Sequence, residues 1–264
     1  MVEIQMSIAT TQRRLTLEAS GGLAQITLSH PPLNIIDFEM MDDLLESIQE
    51  VAAKPEISII MLSGGDRNFS AGVEVAIQTP DRDQAMLQKF HGVIGALAKC
   101  RKITIAEVHG VCLGGGAELA MLCDMAFTTG TAKWGFPEIT LGCYPPVACA
   151  ALATTVGQKR AADLIFTGKT FTGEEAAQWG LANEAHPAGE LQEVIQGTLD
   201  GLLKLSPAAL GVAKKAFYAW DSIHLDKGLA RAEKIYLEEL MQTEDCKEGI
   251  DAWMEKRKPV WRAK

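Results

Sequence analysis

Apolar and polar positions alternate in the first part of the chain and later recur at helical spacing. Residues 14–18 and 23–28 alternate in polarity on either side of Gly21-Gly22, which predicts a β-hairpin. Farther along, β-branched runs predict buried parallel strands, and apolar residues every three or four positions predict helices between them. The strands are predicted at 57–62, 103–108 and 126–128, and the helices at 38–53, 81–100 and 117–122. This alternation predicts parallel crossovers and an α/β fold.

From about Pro146 onward the pattern is almost entirely helical. Glycines and the Ser206-Pro207 step separate the predicted helices, which lie at 147–166, 173–179, 190–205, 207–218 and 229–258. This helical region is longer than a region that only covers one core, so we expect part of it to pack on neighbouring subunits. We therefore predict an α/β core over residues 1–200 and a C-terminal helical region over 201–264.

Composition and charge exclude several classes of function. The 264 residues carry a formal net charge of −9, which disfavours nucleic-acid and anionic-membrane surfaces. No apolar run approaches the roughly 20 residues that cross a bilayer, and the N-terminus does not look like a secretory signal, so we expect a cytoplasmic protein. Six cysteines without a Cys-x-x-Cys pair and five scattered histidines predict buried thiols and no metal site.

Two glycine-containing turns, residues 68–74 and 112–118, each follow a predicted strand. Glycine lets the backbone approach a ligand closely, and a turn that opens a helix directs free N–H groups at developing negative charge. Taken alone, such a turn is as often structural, allowing only tight helix–sheet packing. The turn at 112–118 is neither a phosphate-binding P-loop nor a dinucleotide fingerprint, because the required spacings are missing.

The combination of these turns with the next segment is more specific. Gly-Gly-Gly-Ala-Glu-Leu-Ala-Met-Leu-Cys-Asp (114–124) precedes Trp-Gly-Phe-Pro-Glu-Ile-Thr-Leu-Gly (134–142), and this pairing resembles the crotonase (enoyl-CoA hydratase/isomerase) superfamily. The Phe-Ser-Ala-Gly turn (69–72), Trp-Gly-Leu-Ala-Asn (179–183) and the closing Lys-Arg-Lys-Pro (256–259) extend the resemblance over nearly the whole chain. It implies a crotonase-like superhelix of ββα units, with the C-terminal helices forming a trimerisation region in a homotrimer or a dimer of trimers.

The resemblance also implies a site for an acyl-CoA thioester. The backbone N–H groups of Val73 and Gly115 would hold the thioester oxygen as it becomes an enolate, and Glu118 and Glu138 would handle water as general base and general acid. Which glutamate takes which part stays open. No cofactor is expected besides the CoA thioester substrate. Other substrate-binding candidates from the resemblance are Asn34, Ala71, Gly72, Gly114, Pro137, Tyr144 and Lys256. His91 and Tyr144 could line the acyl pocket, but they could equally be packed core residues, and Lys256 could be a solvated helix end.

Two segments depart from the usual hydratase pattern. Val73-Glu74-Val75 and Pro145-Pro146-Val147-Ala148 are similar to the branch that hydrates cyclohexa-1,5-diene-1-carbonyl-CoA, so we expect a stiff acyl pocket for a ring. The leading hypothesis is therefore an enoyl-CoA hydratase-type lyase. Alternatives on the same scaffold are a double-bond isomerase, a thioester hydrolase or decarboxylase, and a catalytically silent interaction or RNA-binding protein.

Overall fold

The computed structural model describes residues 8–11, 14–78, 82–218 and 221–262, which form strands β1–β10 and helices α1–α10. The strands are β1 Ile8–Thr11, β2 Leu15–Ser20, β3 Leu23–Leu28, β4 Ile59–Ser63, β5 Ile103–Val108, β6 Val111–Leu113, β7 Met125–Thr129, β8 Lys133–Gly135, β9 Thr170–Thr172 and β10 Glu184–His186. The helices are α1 Phe38–Ala52, α2 Asp83–Lys99, α3 Gly115–Met121, α4 Pro146–Val156, α5 Gln158–Thr167, α6 Gly173–Gln178, α7 Leu191–Leu202, α8 Pro207–Phe217, α9 Asp221–Glu238 and α10 Glu244–Met254.

Within the described ranges the strands form two sheets. The larger has the order β1-β2-β3-β4-β5-β7-β10, with its first three strands antiparallel and the following pairs parallel. The predicted hairpin is confirmed as β2 and β3, and the parallel crossovers confirm the α/β class. A small sheet of β6, β8 and β9 stands apart from the larger one and carries the segments that matter for the site.

Both faces of the larger sheet are covered, which explains the uninterrupted apolar runs of its central strands. In β4, Ile60 and Leu62 belong to the main core, to which α1 and α2 also contribute, whereas Ile59 and Met61 pack with Leu191 of α7 in a second, smaller core. Successive side chains of a strand point to opposite faces, so a strand between two cores needs apolar residues at every position. The prediction of a buried strand here is confirmed.

The structure corrects the predicted boundaries in the helical half. Residues 147–166 are not one helix, because Gly157 has a φ of 80° and separates α4 from α5. Residues 229–258 are not one helix either: α9 ends at Glu238, and the Thr243 side chain caps a new helix, α10, by accepting a hydrogen bond from the Cys246 N–H. Asp81, the predicted start of the helix at 81–100, lies outside the described residues.

The last two helices pack close to the middle of the chain. Helix α9 lies along α4, and α10 packs against a 3₁₀ turn at Pro137–Leu141. A methyl group added at Gly249 would lie 2.2 Å from the Leu141 carbonyl oxygen, so only glycine permits this approach. Among the described helices none is both long and apolar enough to traverse a lipid bilayer. Of the six cysteines, five are buried and only Cys149 is exposed, as the sequence mostly predicted.

Candidate active site

Two short parallel strands bring the predicted glutamates together. β6 pairs with β8, and the Gly114 N–H donates to the Gly135 carbonyl oxygen at 2.9 Å, just past the end of β6. Helix α3 begins one residue later and carries Glu118, while the 3₁₀ turn at Pro137–Leu141 follows β8 and carries Glu138. Because paired parallel strands end at the same edge, the two carboxylates emerge from neighbouring positions. Sequence separation hides this proximity.

The other glycine turn, at residues 68–74, forms backbone hydrogen bonds with neighbouring segments on both sides. Ser70 exchanges backbone hydrogen bonds with β6, at 3.0 Å to the Val111 oxygen and 2.9 Å from the Leu113 nitrogen. On the other side Ile36 accepts from the Glu74 N–H and donates to the Gly72 oxygen. N–H groups alternate in direction along an extended segment, so the N–H of Val73 points away from Ile36.

Glycines allow this turn and the Gly114–Gly116 triplet to touch. A methyl group added at Gly72 would lie 3.2 Å from the Gly115 nitrogen, and one added at Gly115 would lie 2.8 Å from Val73 Cγ2. The two predicted donors, the N–H groups of Val73 and Gly115, therefore sit side by side. Within the described part of the chain neither N–H has a hydrogen-bond acceptor. Two unused, adjacent backbone donors can bind a single oxygen that develops negative charge.

Glu138 lies directly over the glycine triplet. A methyl group at Gly114 would be only 2.7 Å from Glu138 Oε1. Its other oxygen, Oε2, is buried and has no hydrogen-bond partner among the described residues. Burial, followed by the nearby negative charge of Glu118, raises the pKa of Glu138 well above its ordinary value. A buried, unsatisfied carboxylate oxygen costs stability, so its presence calls for an explanation such as a catalytic role.

Glu118 is also buried, with 2% of its surface exposed. Its Oε1 accepts the backbone N–H of Ala148 at 2.9 Å, in the first turn of α4. Burial raises the pKa of Glu118 to about 7, opposed by the N–H groups of Ala148 and Val147, which stabilise the charged form.

These pKa values suit acid–base chemistry at neutral pH. A carboxyl group whose pKa lies near 7 exchanges protons readily in either direction, and the raised pKa of its neighbour favours the protonated form of that group. The site thus combines two unused backbone donors with two carboxyl groups whose raised pKa values suit proton transfer. That constellation fits addition of water to a polarised double bond or its reversal.

Asn34 holds the glycine turn at residues 68–74 in place through hydrogen bonds. The residue is 6% exposed, and its Nδ2 donates to the carbonyl oxygens of Gly64, Asn68 and Phe69 at 2.9–3.1 Å. The backbone carbonyl oxygen of Asn34 accepts a hydrogen bond from the Ser70 hydroxyl at 2.7 Å. These bonds give Asn34 a clear task in positioning the turn, while its predicted part in substrate binding stays a prediction.

The remaining candidates are divided between the site and its surroundings. Ala71 and Pro137 lie in the two segments that form the site. Tyr144 packs edge-on against Tyr236 at 5.2 Å, and its hydroxyl donates to the Ala232 oxygen of α9 at 2.6 Å. Lys256 is exposed beyond the end of α10, and the structure does not bring it to the glutamates.

Sequence reasoning missed several neighbours of this site. The Phe90 ring packs closely against the glycine triplet at 114–116, since a methyl group at Gly115 would lie 3.1 Å from Phe90 Cζ. Glu233 of α9 binds His91 at 2.7 Å from Oε2 to Nδ1. Phe90 looked like any apolar position of a helix, and nothing in the sequence pointed to a contact 142 residues away. The sequence could have indicated the Ala148 N–H as a free donor, because the first turn of a helix after a Pro-Pro pair leaves backbone N–H groups without partners.

Known proteins of one family are similar to this chain over nearly its whole length. The enoyl-CoA hydratase/isomerase family model matches residues 18–264. The chain is 31% identical over 256 residues to the cyclohexa-1,5-dienecarbonyl-CoA hydratase of Thauera aromatica, covering 97% of this chain and 99% of that protein. It is 36% identical over 251 residues to a probable enoyl-CoA hydratase of Rhizobium meliloti, covering 94% and 97%. An enoyl-CoA hydratase structure from Mycobacterium avium subsp. paratuberculosis matches 96% of this chain and all of that chain, with a TM-score of 0.86 at 24% identity, which confirms the crotonase-like fold.

Proposed function

Because this chain belongs to the enoyl-CoA hydratase/isomerase family, we propose that it is a carbon–oxygen lyase that hydrates the conjugated double bond of an acyl-CoA thioester, or runs the reverse dehydration. The observation that carries the proposal is the pair of glutamates beside two unused backbone donors, with Glu118 buried and Glu138 half-buried but with one buried oxygen that is unpartnered among the described residues. An isomerase of this fold can work with one carboxylate, so the presence of two favours hydration.

The thioester oxygen is proposed to bind between the N–H groups of Val73 and Gly115. As water adds to the β-carbon, electrons move toward this oxygen and form an enolate, so both hydrogen bonds strengthen in the transition state. Donors of this kind typically lower the barrier by about 3–4 kcal/mol each. They are main-chain groups fixed by the glycine contacts and need no reorganisation when the charge appears.

The environments of the glutamates suggest their separate roles. Glu118 accepts backbone N–H bonds and is partly ionised at neutral pH, so we assign it as the base that takes a proton from the attacking water. Glu138 lies beside the charge of Glu118 and has an unpartnered oxygen, so it keeps its proton and delivers it to the α-carbon. After each turnover the proton gained by Glu118 must return to Glu138, which restores both groups.

For the acyl group we propose a six-membered cyclic dienoyl thioester. Support comes from the Thauera aromatica relative, whose name specifies that substrate, and from the segment next to Glu118. Pro145 precedes α4 and Pro146 is its first residue, so the proline rings fix the backbone immediately before the Ala148 N–H that holds Glu118. A stiff wall suits a rigid ring better than a flexible chain.

We also propose a cytoplasmic homotrimer or dimer of trimers, without a cofactor beyond the CoA thioester. The C-terminal region supports assembly, because large apolar side chains on and after its helices are exposed in the single chain: Val212, Phe217, Trp253, Met254, Val260 and Trp261. Such residues are usually covered by a partner. The division into residues 1–200 and 201–264 remains part of this proposal.

The test is a direct assay with crotonyl-CoA and cyclohexa-1,5-diene-1-carbonyl-CoA in parallel. Hydration removes the conjugated-thioester absorbance, and we expect the wild type to act on the cyclic substrate with the higher kcat/KM. Glu118→Gln and Glu138→Gln should each lower kcat by at least about 100-fold. Glu238→Gln on the exposed face of α9 is the matched control and should leave kcat unchanged. Full activity in both active-site variants would refute the two-glutamate assignment.

A further inference from the structure

A serine hydroxyl group is buried inside the glycine turn at residues 68–74 and has no part in the mechanism above. Ser70 is completely buried. Its Oγ donates to the Asn34 backbone carbonyl oxygen at 2.7 Å and accepts the Gly72 N–H at 3.0 Å. A serine hydroxyl has one proton to donate and lone pairs with which to accept, so these two backbone partners fix the direction of its O–H bond. The side chain therefore links two backbone segments.

This link controls the direction of the Val73 N–H through Gly72. Gly72 has a φ of 99°, a value that residues with a side chain disfavour and that glycine takes easily. The same freedom would let Gly72 change its dihedral angles and turn the next peptide, which contains the Val73 N–H. Two hydrogen bonds oppose this motion: Ser70 Oγ holds the Gly72 N–H, and the Ile36 N–H holds the Gly72 carbonyl oxygen at 2.9 Å. Loss of the hydroxyl would release one side of the glycine.

The same serine packs against the helix that carries the other donor. A methyl group added at Gly116 would lie 2.7 Å from Ser70 Cβ and 3.0 Å from Ser70 Oγ. Gly116 follows Gly115 in the first turn of α3, and the Gly115 N–H is the second donor. One small side chain thus contacts both the turn with the first donor and the helix with the second.

We propose that Ser70 is a positioning residue that sets the separation and direction of the N–H groups of Val73 and Gly115, so that both reach one thioester oxygen. The inference rests on the proposed function and deepens it, because it names the side chain that holds the oxyanion donors in place. Ser70 acts only through those two groups. A displaced donor binds the enolate oxygen less well while contacts with the rest of the substrate persist, so the loss falls on the transition state rather than on substrate binding.

Kinetics on crotonyl-CoA separate this role from a merely structural one. Ser70→Ala keeps Cβ beside Gly116 and removes the hydroxyl, so it should lower kcat at least about 10-fold while KM changes by less than about three-fold. Ser70→Cys can still donate and accept, over longer bonds, and should recover part of the lost kcat. Ser58→Ala is the matched control, because Ser58 is also buried and its hydroxyl donates to the Gly22 carbonyl oxygen at 3.3 Å; it should leave kcat unchanged.

An infrared measurement needs no turnover. Donors at the thioester oxygen polarise the carbonyl, so butyryl-CoA labelled with ¹³C at this carbon should show a lower stretching frequency when bound to the wild type than when free. The lowering should be smaller with Ser70→Ala, intermediate with Ser70→Cys and complete with Ser58→Ala. If Ser70→Ala does not fold, Ser70→Cys provides the same comparison with the wild type.

Unchanged kcat in the Ser70 variants, or a carbonyl frequency lowered as far in them as in the wild type, overturns the inference. A fall in kcat matched by an equal rise in KM also overturns it, since that would be a loss of substrate binding. Failure of the proposed function is separate: it would show as no hydration of crotonyl-CoA or cyclohexa-1,5-diene-1-carbonyl-CoA by the wild type, whereas the infrared comparison does not depend on hydration.

Discussion

Replacing Glu118 by glutamine should make the protein more stable while removing its activity. The folded state raises the pKa of Glu118 from an ordinary 4.5 to about 7, because the carboxyl group is buried. The folded protein therefore binds this proton more tightly than the unfolded chain. The contribution to stability is complete below about pH 4.5 and is lost as the pH rises through about 7. At pH 8 the folded protein must keep a charge in a place that disfavours it.

The size of this effect follows from the two pKa values. Each pKa unit corresponds to about 1.4 kcal/mol, so the change from 4.5 to about 7 corresponds to roughly 3 kcal/mol. Glutamine has nearly the same shape, its amide oxygen can still accept the Ala148 N–H, and it never ionises. Glu118→Gln should therefore exceed the wild type in free energy of unfolding by about 3 kcal/mol at pH 8 and by under about 1 kcal/mol at pH 5.

The assay is urea denaturation at pH 5, 6, 7 and 8 at one fixed protein concentration, since subunit association would otherwise affect the midpoints. Glu238→Gln, which alters an exposed carboxylate, should show no comparable pH-dependent difference from the wild type. If Glu118→Gln is equally or less stable than the wild type at pH 8, the burial argument for a raised pKa is wrong. A constant stability gain at every pH would likewise contradict it.

Three other predictions concern activity and the glycine turns. For wild-type enzyme, kcat/KM should fall below about pH 7 and reach about a tenth of its plateau near pH 6, because Glu118 must be ionised; a flat profile from pH 5.5 to 8 would contradict this. Gly114→Ala should lower kcat/KM by about 100-fold, because its methyl group would press on Glu138, whereas Gly95→Ala in open space within α2 should keep activity and add about 0.5–1 kcal/mol of stability. Asn34→Ala should cost about 2–3 kcal/mol in urea denaturation, since three carbonyl oxygens lose their donor; unchanged stability would show that those bonds are dispensable.

Local patterns in the chain were enough for much of the fold. The alternation around Gly21-Gly22 predicted the β2–β3 hairpin, and the β-branched run at 57–62 predicted a buried parallel strand. Both signals come from residues that are close together in the chain and from the burial of the strand faces. They can therefore be recognised in the sequence alone. The short strands β6, β8 and β9 were missed, because three residues are too few to show a period and their pairing is long-range.

The helical half shows the same limit. Apolar spacing at 147–166 continues across Gly157, so periodicity alone does not reveal the break between α4 and α5. The break depends on a positive φ that glycine permits but does not require. Helix α10 likewise begins where Thr243 caps it, and its close approach to the 3₁₀ turn at Pro137–Leu141 joins residues that are far apart in the chain.

By itself, the sequence determined the α/β class, the family resemblance and the residue types of the candidate site, because these depend on local spacing and on motifs that remain intact in the linear chain. Tertiary structure alone decided that Glu118 and Glu138 lie close enough for the charge of one to raise the pKa of the other, and that His91 meets Glu233. The reason is electrostatic: a carboxyl group's pKa depends on its distance from water and from other charges. Those distances exist only after strands far apart in the chain have paired.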